Sequence, residues 1–212
     1  MKQLISLLVL LGCSDLLYSQ IYPDPEFSNE VYYLKEDSVI QVFRLEKNSS
    51  KLESKTKVGG IGGAESGYEM DGERSRIRLH SGTNLSFVFF TGLVAASGSN
   101  PQTDSMMRAN GMDPSMMRGM SGNPSDMISL YKAESGKGKR KILMMKMGGM
   151  GFGSKKQTSS DKYTFSVRKV REGYWELVID KTLPKGEYAF SIISRGVSGM
   201  DGSTMLYAFG ID

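Results

Sequence analysis

The chain has 212 residues, with 27 lysines and arginines against 23 aspartates and glutamates, one histidine and one cysteine. A single histidine excludes metal motifs built on a histidine pair, and the near balance of charge gives no argument for a nucleic-acid partner. Because the cysteine, Cys13, precedes the predicted strands, we expect no internal disulfide and no thiolate metal site.

The first residues have the pattern of an export signal. A positively charged start is followed by an apolar run from Leu4 to Leu11, which fits a signal peptide and is too short to span a bilayer. We predict a signal peptide over residues 1–19, cleaved after Ser19. Alternatively, Leu10-Leu11-Gly12-Cys13 resembles a lipobox, in which Cys13 would be lipidated. Either route predicts an exported protein, in the periplasm, at the cell surface or secreted. It would meet a membrane only through the lipid anchor, as an outer-membrane lipoprotein does.

Strand patterns begin after an extended lead-in over residues 20–29. Two short strands are predicted from Glu30 to Leu34 and from Val39 to Leu45, where apolar residues recur at alternate positions. A third, from Lys51 to Val58, mixes small and polar residues with lysines, which favours an exposed edge strand. Residues 30–212 are predicted to form one domain, since this length is enough for a single core.

Basic side chains alternate just before the next apolar strand. They are separated by single residues, so a strand would project them from one face: Arg74, Arg76, Arg78 and His80. Guanidinium groups bind carboxylates with paired hydrogen bonds, which predicts an anion-binding site. The alternative is a solvated sheet face. The dense apolar run from Leu85 to Phe90 then predicts a core strand.

The least ordinary feature is a methionine-rich segment. Residues 92–126 lack usable periodicity and are predicted to be a long loop, and eleven of the 15 methionines lie in it or shortly after it. Thioether sulfur is a soft ligand that suits Cu(I), and four methionines are close enough in sequence to converge on one ion: Met112, Met116, Met117 and Met120. The segment loosely resembles the methionine-rich segments of exported copper-handling proteins. Alternatively, the methionines form an adaptable apolar surface for a partner, or are incidental to the loop.

Strand patterns resume after this segment. Strands are predicted from Met127 to Ala133 and from Lys139 to Met147, joined by a basic turn whose charges, Arg140 among them, we expect to be solvated.

The C-terminal quarter has the clearest alternation. Because its connections are short, we expect neighbouring strands to pair antiparallel as a meander. The four predicted strands are Lys162 to Val170, Tyr174 to Ile179, Glu187 to Ile193 and Thr204 to Ile211.

Two stretches of this quarter carry a resemblance to known proteins. A hairpin with the sequence Pro-Lys-Gly-Glu-Tyr-Ala-Phe over residues 184–190 precedes a chain end of Tyr-Ala-Phe-Gly-Ile-Asp over residues 207–212. Together they resemble a group of uncharacterised exported bacterial β-sandwich proteins, over residues 161–212. The resemblance implies a fold and brings with it no activity and no catalytic residue.

The short strands with turn signals between them predict an all-β fold, a single antiparallel β-sandwich or jelly-roll-like domain. Gly-x-Ser-x-Gly, which would seat a serine nucleophile, does not occur. We therefore expect a non-catalytic exported protein that binds a protein or glycan partner at the cell envelope, or is a structural component of the envelope. The alternatives are the Cu(I) binder and a glycan-active enzyme, which would need two acids facing each other in an aromatic-lined cleft.

Overall fold

The structure, a computed structural model, describes residues 22–56, 63–81, 85–91, 105, 109, 124–147, 157–192 and 203–212. Of these residues 67% are in β-strands, and the strands form two antiparallel-rich sheets packed together. The predicted all-β sandwich is therefore confirmed. Over the described ranges, no helix has the length and apolar character needed to cross a bilayer.

Fourteen strands and one short 3-10 helix, Pro124–Asp126, make up the described part of the chain. The strands are β1 (Glu30–Glu36), β2 (Ile40–Arg44), β3 (Glu46–Thr56), β4 (Ala64–Asp71), β5 (Arg78–Leu79), β6 (Ser86–Phe90), β7 (Ile128–Gly136), β8 (Lys139–Met147), β9 (Gln157–Thr158), β10 (Lys162–Tyr163), β11 (Phe165–Arg171), β12 (Tyr174–Ile179), β13 (Gly186–Ile192) and β14 (Ser203–Ile211).

The smaller sheet has five strands in the order β11-β12-β6-β1-β2, all antiparallel. β6 lies at its centre, and its sequence is apolar at almost every position because both of its faces are covered. Phe87 and Phe89 face the other sheet, whereas Val88 and Phe90 belong to a cluster on the outer face.

The larger sheet has nine strands in the order β10-β7-β13-β14-β3-β4-β8-β9, with β5 paired parallel to β14. An additional pairing joins β7 to β8, so β7, β13, β14, β3, β4 and β8 form a closed ring of hydrogen-bonded strands. β3 makes this closure by being long: its residues 46–51 pair with β14 and its residues 52–56 with β4.

The main core lies between the two sheets and is rich in aromatic rings. The ring of Phe87 is 4.9 Å from that of Phe190 and 5.0 Å from that of Phe209, measured between centroids. Each of these three side chains points inward because it occupies an alternate position of its strand. Their burial supplies a large share of the hydrophobic stabilisation of the fold.

A second, smaller core fills the ring of strands. It consists mainly of residues on the opposite faces of β13 and β14, together with residues of β4 and β8 that fold over them. Ala189 and Ala208 leave room there for Met70, Ile142 and Leu206. The outer faces of β13 and β14 are therefore covered as well, which explains why nearly every residue of both strands is buried.

Two sequence predictions need correction. The C-terminal strands do not form one meander, because β12 belongs to the five-stranded sheet and β13 to the larger one. The predicted strand from Lys162 to Val170 is interrupted at Thr164, where the chain changes sheets between β10 and β11. The segment from Lys51 is exposed as predicted, and its described residues 52–56 have one paired neighbour, β4.

Candidate functional site

The predicted basic cluster lies on a strap, residues 72–80, that connects β4 to β5. Of the four basic residues, only Arg78 belongs to a strand, β5. Its guanidinium group donates hydrogen bonds to Asp212, with 2.5 Å between Nη2 and Oδ1, and also bonds the carboxylate of Glu187. Arg74 donates to Asp212 at 3.2 Å. Arg76 and His80 are exposed. The carboxylates bound by Arg74 and Arg78 therefore come from the chain itself.

Arg78 lies directly against the backbone of β14. A Cβ atom added to Gly210 would lie 1.6 Å from Nη1 of Arg78, so no larger residue fits there while Arg78 stays in place. The backbone supports the same contact, because Gly210 N–H donates to Ile77 O at 2.9 Å. The strap is thus attached to the end of β14 by both backbone and side-chain bonds.

A buried polar network holds the rest of the strap. Ser75 donates from its hydroxyl to Glu46 Oε2 at 2.8 Å and from its N–H to Glu187 Oε2 at 2.7 Å. Arg140, which is 1% exposed, donates from Nη2 to Glu46 Oε1 at 2.5 Å and from Nε to Gly72 O at 3.0 Å. The prediction that the basic run around Arg140 is solvated is therefore wrong at this residue, because it faces the interior of the ring.

The charge state of Glu46 follows from these contacts. Burial acts to raise its pKa, but hydrogen bonds from Arg140, from Arg76 N–H and from the Ser75 hydroxyl outweigh burial and lower the pKa to about 2. Glu46 and Glu187 each accept a hydrogen bond from Ser75, so the two carboxylates lie near each other. A glycan-active enzyme needs such a pair of carboxylates. A general acid requires a raised pKa, and Glu46 has a lowered one. Both carboxylates are also bound by arginines, Glu46 by Arg140 and Glu187 by Arg78.

Sequence reasoning missed this network. The sequence predicts a strand that includes Glu187 but does not predict that this side chain is buried. Glu187 lies two residues before the buried Ala189, so both side chains project from the same face of β13. The available signal was a charged residue at an inward position of an alternating strand. Arg140 gave the same signal, since it alternates with the fully buried Ile142 on β8.

Other predicted site residues cannot be placed. Cys13 and the four copper candidates Met112, Met116, Met117 and Met120 lie outside the described residues. Elsewhere, in the ranges that are described, no group of three or more histidine, cysteine, aspartate or glutamate side chains could hold a metal ion.

No protein-family model, curated protein or solved structure matches this chain.

Exposed apolar residues gather at one edge of the five-stranded sheet. Val39 is 65% exposed, Phe43 43% and Phe27 41%. Val39 and Phe43 lie in or beside β2, and the guanidinium group of Arg44 lies 4.2 Å from the centre of the Phe27 ring. We call Phe27, Val39, Phe43 and Arg44 the β2 edge surface. In the part of the chain that is described, β2 has one paired neighbour, β1.

A buried carboxylate fixes the orientation of this surface. Glu30, which is 3% exposed, accepts hydrogen bonds from Arg44 Nε and Nη2 at 2.8 Å each and from Lys47 Nζ at 2.7 Å. Burial alone would raise the pKa of Glu30, but the bonds from Arg44 and Lys47 lower it. The glutamate therefore stays ionised and holds Arg44 over Phe27.

The two edges of the five-stranded sheet differ in chemistry. β11, at the far edge, exposes three cations, Arg168, Lys169 and Arg171, and its pairing with β12 is irregular between Lys169 and Arg171. Charged residues and bulges are the features that prevent an edge strand from pairing with another chain. β2 pairs with β1 in continuous register and exposes apolar residues. The β2 edge lacks the bulge and the cluster of cations that β11 has.

Proposed function

We propose that the protein is exported and non-catalytic, and that it acts by binding a partner through the β2 edge surface. The observation that carries the proposal is the exposure of Val39 and Phe43 at an edge strand with a regular, continuous register. An edge strand with exposed apolar side chains offers both unpaired backbone groups and apolar area to another chain.

The buried acids support a role without catalysis. Glu30, Glu46, Glu176 and Glu187 are each bound by at least one arginine. For Glu30 and Glu46 these bonds lower the pKa against the effect of burial, which suits a structural ion pair better than proton transfer. The pattern of residues 1–19 supports export.

Photo-crosslinking in the cells that make the protein tests the proposal. A photoreactive phenylalanine analogue replaces Phe43 in the full chain, and the same analogue replaces Ser166, an exposed residue on β11, as the control. We expect a light-dependent adduct from position 43 that disappears when Val39→Asp is added, and none from position 166. Equal adducts at both positions, or no adduct at position 43, would contradict the proposal.

The same cells test export. We expect the N-terminal sequence of the recovered protein to begin at Gln20, and recovery of the uncleaved chain in the cytoplasm would contradict export. Incorporation of labelled palmitate that is lost in Cys13→Ser would instead show the lipoprotein route.

Copper binding is the second candidate function. The density of methionines favours it, and two of them outside the long segment, Met144 and Met145, are each 37% exposed on β8. We propose a Cu(I) titration against a competing chelator, with the intact protein and a variant lacking residues 106–120 side by side. Weaker retention in the deletion variant supports Cu(I) binding by that segment, and equal retention excludes it.

A further inference from the structure

We infer that the partner at the β2 edge surface is a second copy of this chain, with the two β2 strands pairing antiparallel about a two-fold axis at Val42. This inference rests on the proposed function and identifies its partner. The two five-stranded sheets would then form one continuous sheet across the dimer. Two-fold dimers in which the same surface meets itself are the commonest symmetric assemblies.

The backbone of β2 is suited to this pairing. β2 runs from Ile40 to Arg44 in unbroken register with β1, and it contains no proline. An edge strand presents unpaired N–H and C=O groups on its outer side. An antiparallel partner strand of equal length satisfies them without any change in β2.

The side chains of β2 are self-complementary in this register. A two-fold axis at Val42 places Phe43 opposite Gln41 of the second copy and Arg44 opposite Ile40. Each residue then pairs with the one that lies equally far from Val42 on the other side. Arg44 is the one charged residue of β2, and the two copies of it lie at opposite ends, about 13 Å apart along the strands. No like charges therefore lie opposite each other. Like charges in directly opposite positions would destabilise the strand pair.

The exposed apolar residues explain why the pairing would be favourable. Phe43 contacts Tyr33 on one face of the sheet, with 6.4 Å between the two ring centres. Alternation continued back from β2 puts Val39, four residues before Phe43, on the same side. In the dimer, Val39 and Phe43 of both copies would form one stripe across the new strand pair. Pairing therefore removes from water the apolar area that is exposed in the single chain.

The charged residues next to β2 are compatible with the same arrangement. Glu36 is paired with Ile40 across β1 and β2 and is exposed. Because Ile40 would face Arg44 of the second copy, Glu36 and that arginine lie in one row on one face of the sheet. Opposite charges in such a row favour the antiparallel over the parallel orientation.

Sedimentation equilibrium of the exported, purified protein over a wide concentration range tests the inference. We expect a reversible monomer–dimer equilibrium for the natural sequence. Val42→Lys and Val42→Glu should each be monomeric, because the axis places two like charges opposite each other. A mixture of the two variants should form a heterodimer, which also shows that both variants remain folded. Ser166→Lys, at the far edge, should dimerise like the natural protein.

Three results would overturn the inference: a monomeric natural protein at every concentration, a dimer of Val42→Lys alone, or no heterodimer in the mixture. These outcomes are separable from failure of the proposed function. A monomeric protein that still gives an adduct at Phe43 in cells binds a different partner, whereas absence of the adduct contradicts the broader proposal.

Discussion

Arg140 and Glu46 form an ion pair inside the ring of strands, with 2.5 Å between Nη2 and Oε1 and only 1% of Arg140 exposed. Arg140 also donates from Nη2 to Asp71 O at 2.9 Å and from Nε to Gly72 O at 3.0 Å. A guanidinium group this deeply buried is tolerated because a carboxylate and two backbone carbonyls accept hydrogen bonds from it. The pair connects β8 to β3 and fixes the strap between them.

The first prediction concerns removal of this pair. Arg140→Met should destabilise the protein by about 3–5 kcal/mol, because Glu46 is left without its cation. The double variant Arg140→Met/Glu46→Met should be less destabilised than the sum of the single variants. Equilibrium unfolding in urea measures each free energy. Lys139→Met, which breaks a surface pair with Glu69, should cost much less than Arg140→Met. A cost for Lys139→Met as large as that for Arg140→Met would contradict the argument.

The second prediction concerns acid. The pKa of Glu46 is lowered from an ordinary value of 4.5 to about 2 in the folded protein. The contribution of Glu46 to the free energy of unfolding is up to about 3 kcal/mol. This contribution is fully present above pH 4.5 and is lost as the pH falls toward 2. Unfolding free energies measured across this range should fall steeply. Glu46→Gln should flatten that dependence. An unchanged slope in Glu46→Gln would show that other carboxylates control acid unfolding.

The third prediction concerns the contact between Arg78 and Gly210. In Gly210→Ala the new methyl group would lie 1.6 Å from Nη1, so Arg78 must move away from Glu187 and Asp212. We expect a loss of about 1–3 kcal/mol. Gly136→Ala is the matched control, since no atom lies within 4 Å of the added carbon. In an Arg78→Ala background the cost of Gly210→Ala should largely disappear, and a persistent cost would place the strain elsewhere.

The fourth prediction separates the core from the β2 edge. Phe87 is fully buried and contacts Phe190 and Phe209, so Phe87→Ala should cost about 3–5 kcal/mol of stability. Phe43→Ala, at a half-exposed position, should cost about 1 kcal/mol or less. The dimer, by contrast, should be weakened by Phe43→Ala. Thermal unfolding and sedimentation, measured on both variants, distinguish these effects.

Much of the local structure could be predicted from the sequence. Alternation puts Tyr188 and Phe190 on one side of β13 and Tyr207 and Phe209 on one side of β14, and these are the sides that face the main core. The candidate site was less predictable. Alternation in Arg74, Arg76, Arg78 and His80 indicated a shared face, but it could not show that the carboxylates of Glu187 and Asp212 would meet Arg78.

The sequence by itself therefore located most of the strands and the apolar side of each, because side-chain alternation is a property of neighbouring residues. It did not locate β4, Ala64–Asp71, for which no strand is predicted. Only the tertiary structure decided which sheet each strand joins and how the ring closes. Those choices depend on pairings between distant positions, such as Ala64 with Met147 and Ser203 with Lys51. The burial of Arg140 belongs to the same class, since a charge can lie inside the protein only when partners from several strands surround it together.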